Sequence, residues 1–274
     1  MGAVDVWAQQ VTPRMAEQPW MASLLRWTRQ DSRDIVVPVE RTVATMDEAD
    51  VDIALLSAWH GPTGALISND EVLDAVSTRP DRFRALISVD LHRPSDAVST
   101  IRELASDDAV VGVRVVPWLW DLPPDDRLYY PVHAACVETG LPFCTQIGHT
   151  GPLRSSETGR PIPHLERVLL DFPELVVVGG HVGFPWLDEV TSLVLKFPNF
   201  YVDSSAYAVH RLPTAFVDLA AGVGRGRVMF GTNHPMLSAA RALEGLPHLG
   251  WGDDVVAAFL STTARRVFDL PDPR

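Results

Sequence analysis

The chain has 274 residues, 46% of them hydrophobic, and a formal net charge of −12. A chain of this length and composition can bury a full core and form one domain of the size of a barrel, about 250 residues, so we expect a single domain over residues 1–274. The excess of 35 acidic over 23 basic residues argues against nucleic acid or an anionic membrane surface as a partner.

Short β-branched segments alternate with longer amphipathic segments along the whole chain. The segments that predict strands are residues 3–7, 51–57, 84–90, 110–116, 142–147, 175–181, 200–204 and 227–232. The segments that predict helices are residues 40–49, 69–77, 95–105, 130–139, 163–171, 185–197, 213–221, 238–245 and 253–264. Most strand segments are apolar at successive positions, which is typical of parallel strands covered by helices. The alternation predicts an α/β fold, a (β/α)₈ TIM barrel.

A longer segment, residues 8–39, separates the first predicted strand from the first predicted helix. Five apolar side chains recur in it at helical spacing: Trp20, Met21, Leu24, Leu25 and Trp27. The spacing predicts a short helix that folds over the mouth of the barrel as a lid. Its apolar stripe could contact a ligand or pack on the core, and packing on the core is the favoured interpretation.

Two features of the sequence concern its location in the cell. The first residues contain no basic stretch followed by an apolar one, and no apolar run approaches the ~20 residues that span a bilayer. The two cysteines, Cys136 and Cys144, do not form a disulfide framework or a zinc-binding spacing, so we interpret them as buried thiols. We expect a cytoplasmic protein without a membrane partner, and a homodimer remains open.

Absent residues exclude several classes of enzyme. The only lysine, Lys196, ends the helix that leads into the seventh predicted strand, whereas barrel active sites lie at the opposite face. A Schiff-base aldolase, or a binuclear site bridged by a carboxylated lysine, therefore has no suitable lysine. The sequence also contains no serine-hydrolase elbow, metalloprotease helix or phosphate-binding loop.

Two histidines stand at the ends of adjacent predicted strands. His149 follows the fifth strand and His181 ends the sixth. A single histidine is more often structural, but two at the carboxyl ends of neighbouring barrel strands favour a function, and we expect both to point into the mouth. His60 and His234 also follow strands and are second candidates.

Other polar and aromatic residues could bind a substrate. Arg114 lies in an otherwise apolar strand, where a buried guanidinium needs either an internal carboxylate or an acidic ligand. Trp7, Trp59 and Trp118 could form flat walls for an aromatic acid. Asp203, at the end of the seventh strand, could orient a histidine or hold a loop.

Five motifs carry most of these residues: 4–9 (VDVWAQ), 146–151 (QIGHTG), 179–186 (GGHVGFPW) followed by Glu189, 198–205 (PNFYVDSS) and 228–235 (VMFGTNHP). Together they resemble the amidohydrolase-2 family, relatives of aminocarboxymuconate-semialdehyde decarboxylase among the metal-dependent hydrolases. In typical members the first strand ends in Asp-x-His-x-His, whose histidines bind a divalent metal, and the last ends in Gly-Thr/Ser-Asp, whose aspartate completes the site. The resemblance implies that His149 corresponds to a metal ligand and His181 to the acid/base histidine.

Three positions depart from the family pattern, because Trp7, Gln9 and Asn233 replace its metal-binding histidines and aspartate. Catalytic zinc needs about three imidazole, thiolate or carboxylate ligands. An indole is no ligand and neutral amides are poor ones. We therefore expect no cofactor, and the alternative, a divalent metal such as zinc, would depend on His149 and His181.

The sequence predicts a metal-independent hydrolase for a small carboxylated substrate, such as an aromatic acid, lactone or amide. His181 would activate water, while His149 and Asn233 would polarise the carbonyl. The residues expected to bind the substrate are Arg114, Trp7, Gln9, Trp59, His60, Trp118, Asp203 and His234. One alternative is a decarboxylase of the same family, in which His181 protonates carbon as CO₂ leaves. The other is a non-catalytic barrel that binds a ligand.

Overall fold

The computed structural model describes residues 2–271, and its centre is an eight-stranded parallel barrel. In chain order the strands are β1 Ala3–Ala8, β2 Val51–Ser57, β3 Trp59–Gly61, β4 Gly64–Ile67, β5 Phe83–Ile87, β6 Val110–Val115, β7 Phe143–Gln146, β8 Val177–Gly180, β9 Phe200–Asp203 and β10 Val228–Met229. All except β3 and β4 belong to the barrel, and each pairs in parallel with the next barrel strand along the chain. The predicted (β/α)₈ barrel is confirmed.

Backbone hydrogen bonds between β1 and the segment that directly follows β10 close the barrel. The amide of Val6 donates to the carbonyl of Phe230 over 3.1 Å, and the amide of Asn233 donates to the carbonyl of Trp7 over 2.7 Å. A closed barrel has no free sheet edge. The first and last motifs of the chain are therefore held side by side.

Helices cover the outside of the barrel. They are α1 Pro13–Ala16, α2 Met21–Thr28, α3 Val39–Asp47, α4 Asn69–Thr78, α5 Pro94–Leu104, α6 Pro117–Trp120, α7 Tyr130–Thr139, α8 Glu166–Asp171, α9 Leu187–Lys196, α10 Thr214–Ala221, α11 Ala239–Ala242, α12 Asp253–Ala257 and α13 Thr263–Val267. Local sequence sets several of their ends, as in α4, where Ser68 and Glu71 form a reciprocal capping box. Within residues 2–271, no helix is long and apolar enough to cross a bilayer.

The interior of the barrel is an apolar cluster built from seven of its strands. Its members include Val4, Val6, Ile53, Leu55, Leu86, Val111, Cys144, Val178 and Met229. Phe268 and Leu270, near the end of the described chain, pack against this cluster, and Arg265 beside them donates to the Asp52 carboxylate over 2.9 Å. The larger cluster lies between strands and helices. Polar groups are thus left to the carboxyl ends of the strands.

The structure departs from the predicted strands after β2 and at the end of β10. Between the predicted strand 51–57 and the predicted helix 69–77 the sequence indicates no strand, whereas β3 and β4 form an antiparallel hairpin there. Gly64, at φ 112°, allows the tight turn between them. The last strand ends at Met229, earlier than predicted, because the following residues bend toward β1 and reach a φ of 73° at Asn233.

The segment between β1 and α3 folds over one end of the barrel. Met21 of α2 is fully buried and Leu25 is nearly so, whereas Trp27 is 65% exposed. The ring of Trp20 meets that of Trp118 edge to face, with centroids 4.9 Å apart. The helix is therefore packed through one face, and its outer side presents Trp27.

The two faces of α2 should respond differently to truncation. We expect Leu25→Ala to lower the free energy of unfolding by about 2–5 kcal/mol, because it leaves a cavity in the core. Trp27→Ala should change it by about 0.5 kcal/mol or less, because that side chain is mainly in solvent. Urea unfolding followed by circular dichroism measures both. Equal losses in the two variants would contradict the packing of α2.

Candidate active site

The indole of Trp7 crosses the barrel from β1 to β8. The side chain is fully buried, and a Cβ atom on Gly180 would lie 2.1 Å from its Cζ3. Its ring centre lies 4.4 Å from that of His181 and 3.7 Å from the Cζ of Arg114. Arg114 donates a hydrogen bond to the carbonyl of Val6, within β1, whereas His181 lies just beyond the end of β8. Trp7 therefore lies between the buried guanidinium and the imidazole.

The guanidinium of Arg114 is buried without a salt bridge among the described residues. Its Nη2 donates to the carbonyl of Val6 over 2.8 Å, while Nε and Nη1 have no hydrogen-bond partner. Burial lowers the pKa of Arg114, against the opposing influence of Cys144, Asp203 and Asp5. A cation over a desolvated indole is stabilised by about 2 kcal/mol or more. The sequence predicts that Arg114 binds a substrate carboxylate. Because Trp7 covers this cation, the geometry does not present it to such a carboxylate.

His181 is the outer member of a hydrogen-bonded chain with Ser205 and Asp203. Its Nδ1 lies 2.6 Å from the Ser205 Oγ, and that hydroxyl donates to the Asp203 carboxylate. Because the hydroxyl has one proton and gives it to Asp203, it must accept the proton of His181 Nδ1. The neutral imidazole then carries its lone pair on Nε2. Asp203 thus orients the histidine, but through a serine.

Burial and charge keep His181 neutral. They lower its pKa to about 3, with burial the main cause, followed by repulsion from Arg114 and from His149. The carboxyl of Asp203 shifts the other way, since burial raises its pKa. A histidine of this kind is a weak base and, once protonated, a strong acid.

The backbone that carries His181 is strained. His181 has a φ of 72° and Val182 a φ of 67°, in the left-handed region that β-branched residues avoid. The amide of Val182 donates to the carbonyl of Asp203 over 2.9 Å, and the amide of His181 donates to the Ser205 Oγ over 3.1 Å. Such strain costs about 1–3 kcal/mol per residue and is concentrated at functional sites. The loop after β8 is therefore built to place this imidazole.

A second buried acid, Asp5, joins β1 to the last motif. Its carboxylate accepts from the Thr232 hydroxyl over 2.6 Å, from the Thr232 amide over 2.9 Å and from the Trp7 amide over 3.1 Å. Burial nevertheless raises the pKa of Asp5 to about 7. Asp5 thus fixes the backbone of Trp7 at the point where the chain enters the site.

The two amides that replace metal ligands bond to each other. Gln9 Nε2 donates to the Asn233 Oδ1 over 3.1 Å, and also to the carbonyl of His234. Both side chains are buried. Gln9 and Asn233 therefore link the first and last motifs, and the role of Asn233 in polarising a carbonyl stays a prediction.

The remaining histidines lie apart from His181. His149 is exposed on the loop after β7, with its ring 6.5 Å from that of Trp27. The expectation that it points into the barrel is therefore wrong. His60 stacks on Trp120 at 6.0 Å, beside a cavity of about 240 Å³. His234 is buried, its Nε2 lies 3.2 Å from the Thr42 Oγ1, and burial lowers its pKa to about 4.

The predicted aromatic walls are packed together at the mouth. Trp59 and Trp118 are nearly fully buried, and their ring centres are 6.2 Å apart. The Nε1 of Trp118 donates to the Gln146 Oε1 over 2.7 Å. These indoles support the loop after β7 and make no open wall around His181.

Sequence reasoning missed Ser205, Asp5 and Thr232 as members of the site. Ser205 stands two residues after Asp203 in a motif that drew attention for its aspartate alone. Asp5 stands at the aspartate position of the Asp-x-His-x-His pattern, and its place two residues before Trp7 was the available signal. Hydrogen bonds between different strand ends, which define all three roles, depend on the closed barrel.

The residues present do not fit a divalent metal. At three of the positions where the resemblance implies ligands, the chain offers an indole and two amides that already bond to each other, and at the fourth His149 is exposed on its loop. Imidazole and carboxylate are the donors that manganese and zinc take from proteins. Across residues 2–271, no three His, Cys, Asp or Glu side chains are grouped so as to hold a metal ion.

A closed barrel with acid/base residues at the carboxyl ends of its strands places the protein in the class of TIM-barrel enzymes. A family model described as amidohydrolase, Amidohydro_2, matches residues 38–270. The chain belongs to this amidohydrolase family. The prediction of an enzyme of the amidohydrolase superfamily, a hydrolase or carboxy-lyase, is confirmed at that level.

Solved structures share the fold over the whole chain. An uncharacterised TIM-barrel protein from Bordetella bronchiseptica is 24% identical, with a TM-score of 0.85 and coverage of 98% of this chain and 99% of that chain. The 2,6-dihydroxybenzoate decarboxylase from Rhizobium is 18% identical, with a TM-score of 0.74 and coverage of 98% and 99%. The 5-carboxyvanillate decarboxylase from Novosphingobium aromaticivorans, complexed with manganese and 4-hydroxy-3-methoxy-5-nitrobenzoic acid, is 19% identical, with a TM-score of 0.74 and coverage of 98% and 95%. A search of the curated proteins finds no match.

The raised pKa of Asp5 makes stability depend on pH in a defined direction. Because the pKa rises from 3.8 to about 7, the native state holds a proton that the unfolded chain releases. Stability from this proton is complete below the lower value and is lost as the pH rises through the upper one.

The variant Asp5→Asn cannot ionise, so it should gain on the wild type as the pH rises. We expect the difference in unfolding free energy to grow by at most about 1.4 kcal/mol per pH unit, between roughly pH 4 and pH 7. Urea titrations at fixed pH values measure it, and other groups cancel in the comparison. A difference that stays constant with pH would show that Asp5 is not shifted.

Proposed function

We propose that this protein is a metal-independent carboxy-lyase that removes CO₂ from a small, planar carboxylic acid, with His181 as the acid. The observation that carries the proposal is the chain from His181 through Ser205 to Asp203 at the carboxyl end of the barrel. Similarity in fold to decarboxylases of 2,6-dihydroxybenzoate and 5-carboxyvanillate supports this reaction and this class of substrate.

The acidity of His181 favours decarboxylation over hydrolysis, which the sequence favoured only through the family name. Activating water requires a base with a pKa near the working pH, and His181, with a pKa of about 3, is a poor one. Protonating a ring carbon requires a strong acid. An anionic substrate beside Nε2 would stabilise the imidazolium and raise its pKa while bound, and Asp203 would assist through Ser205.

The proposed reaction balances through one proton. Protonated His181 gives the Nε2 proton to the carbon that bears the carboxylate. The bond between that carbon and the carboxylate then breaks, its electron pair returns to the ring, and CO₂ leaves. Neutral His181 takes a new proton from water once the next anionic substrate is bound. Ser205, oriented by Asp203, accepts the Nδ1 proton throughout, so that only Nε2 exchanges protons with the substrate.

Trp7 favours a second candidate, a barrel that binds a ligand without turning it over. Its indole is fully buried against His181 and occupies space inside the barrel that a reacting molecule could otherwise use. For the lyase to work, the substrate must reach Nε2 from the side that Trp7 does not cover. Direct assays of turnover separate the two candidates.

Decarboxylation can be tested with protein that has been treated with a chelator and dialysed. We expect release of CO₂ from hydroxybenzoates such as 2,6-dihydroxybenzoate and 5-carboxyvanillate, because the proposed proton donor is His181 and the residues present do not form a metal site. Loss of the acid by chromatography measures turnover, with lactones and amides run in parallel. Activity that appears only after manganese is added would refute metal independence. Hydrolysis of the lactones alone would refute the lyase, and no turnover at all would support the binding barrel.

Substitution of His181 tests its role. We expect His181→Ala to lower kcat by roughly 10²–10⁴, because the proton donor is removed. Ser205→Ala should lower kcat less and shift its pH profile, since Nδ1 loses the acceptor that fixes the tautomer. His133→Gln is the matched control: this histidine is also buried, but it bonds to the carbonyl of Pro124 beside α7. Its effect should fall on the melting temperature and leave kcat unchanged. A wild-type kcat in His181→Ala would refute the assignment.

A further inference from the structure

A cavity of about 370 Å³ lies outside the barrel, between the outer side of α2 and the loop formed by residues 149–156. Its volume falls in the range of about 300–1,000 Å³ that is usual for small-molecule sites. Neither His181 nor Trp7 lines it. It is therefore distinct from the acid/base chain described above.

The lining of this outer pocket is basic. Arg26 comes from α2, and His149 and Arg154 come from the loop, while no Asp or Glu lines the cavity. Among the described residues, neither arginine has a salt bridge, in contrast to exposed arginines such as Arg102, which pairs with Glu138 at 2.7 Å. In a chain with a net charge of −12, two free guanidinium groups at one cavity make a local site for an anion.

The pocket also carries exposed apolar surface. Trp27 is 65% exposed and Leu153 is 77% exposed, and both line the cavity. The Cζ of Arg26 lies 5.6 Å from the Trp27 ring centre. A flat indole beside a guanidinium suits a planar ring that bears a carboxylate, because the ring can stack while the charge is paired.

Hydrogen bonds fix the loop in this shape. The Leu153 amide donates to the Ser23 Oγ of α2 over 3.1 Å, and the Thr150 amide donates to the Ser156 Oγ over 3.0 Å. Gly148 has a φ of 76°, and a Cβ atom there would lie 2.5 Å from the Phe184 carbonyl oxygen. The loop can turn His149 outward only with glycine at this position. A preformed site loses less entropy when a ligand binds.

We infer that the outer pocket is a binding site for a small planar carboxylate, held by Arg26 and Arg154 and stacked on Trp27. The choice of ligand rests on the proposed function, since such an acid is what the lyase consumes. Arg26 and Arg154 are exposed, unlike the covered Arg114, and the site that they form is separate from the acid/base chain at His181. Among other occupants, a second copy of the chain would also use Trp27 and Leu153.

The test is calorimetric titration of the His181→Ala protein, which should bind acid without consuming it. We expect 2,6-dihydroxybenzoate to bind at least tenfold more tightly than its neutral amide, and added salt to weaken the acid. The double variant Arg26→Met/Arg154→Met should weaken acid binding by roughly tenfold or more, the usual scale for hydrogen bonds to charged groups. Trp27→Ala should weaken acid and amide alike. Arg241→Met, an exposed arginine on α11 without a salt bridge, is the matched control and should change nothing.

Three results would overturn the inference: equal affinity for acid and amide, unchanged acid binding in the double arginine variant, or a dimer in sedimentation analysis that Trp27→Ala dissociates. These outcomes are separable from failure of the proposed function. Acid binding that depends on both arginines, in a wild-type protein without turnover, leaves the pocket standing and refutes the lyase. Turnover by the wild-type protein, together with acid binding that does not depend on the two arginines, does the reverse.

Discussion

The stacking of Trp7 on Arg114 is the contact on which the site at the carboxyl ends of the barrel strands depends. The guanidinium donates to the Val6 carbonyl, and its Cζ lies 3.7 Å from the centre of the indole. The same indole contacts His181 and requires glycine at position 180. The backbone carbonyl of Trp7 accepts the amide of Asn233, which helps to close the barrel. A cation and an aromatic ring thus lie together inside the barrel, next to His181.

The charge of Arg114 acts on the surrounding acid and base in ways that favour one chemistry. It lowers the pKa of His181 and opposes the burial that raises the pKa of Asp203. Because of both effects, the protonated imidazole of His181 loses its proton readily, and the carboxyl group of Asp203 can stabilise that imidazolium through Ser205. In the proposed reaction the proton comes from His181, and the inferred outer pocket is a separate binding site for the acid.

The sequence was sufficient for the parts of the fold that depend on local patterns. Apolar runs predicted all eight barrel strands, and strand ends pointed to His181 and Asp203. It was insufficient where a side chain's direction depends on a distant strand. The role of Ser205 needs the left-handed backbone at His181, the outward turn of His149 needs the bend at Gly148, and the covering of Arg114 needs the space left by Gly180. Two of these conditions lie far along the chain from the group that they control, and the bend at Gly148, although next to His149, requires glycine because of the distant Phe184 carbonyl.

The contact between Trp7 and Gly180 also limits the order in which residues can be substituted at positions 7 and 180. A glycine at position 180 tolerates any residue opposite it, so a large ring could enter at position 7 without a preceding clash. Once the ring is present, a Cβ atom at position 180 would overlap it at 2.1 Å. The route back is therefore asymmetric: position 7 must shrink first, leaving an empty volume beside a bare guanidinium. Introducing metal ligands into this barrel is therefore limited by steric fit as well as by chemistry, and introducing them one at a time would pass through less stable intermediates.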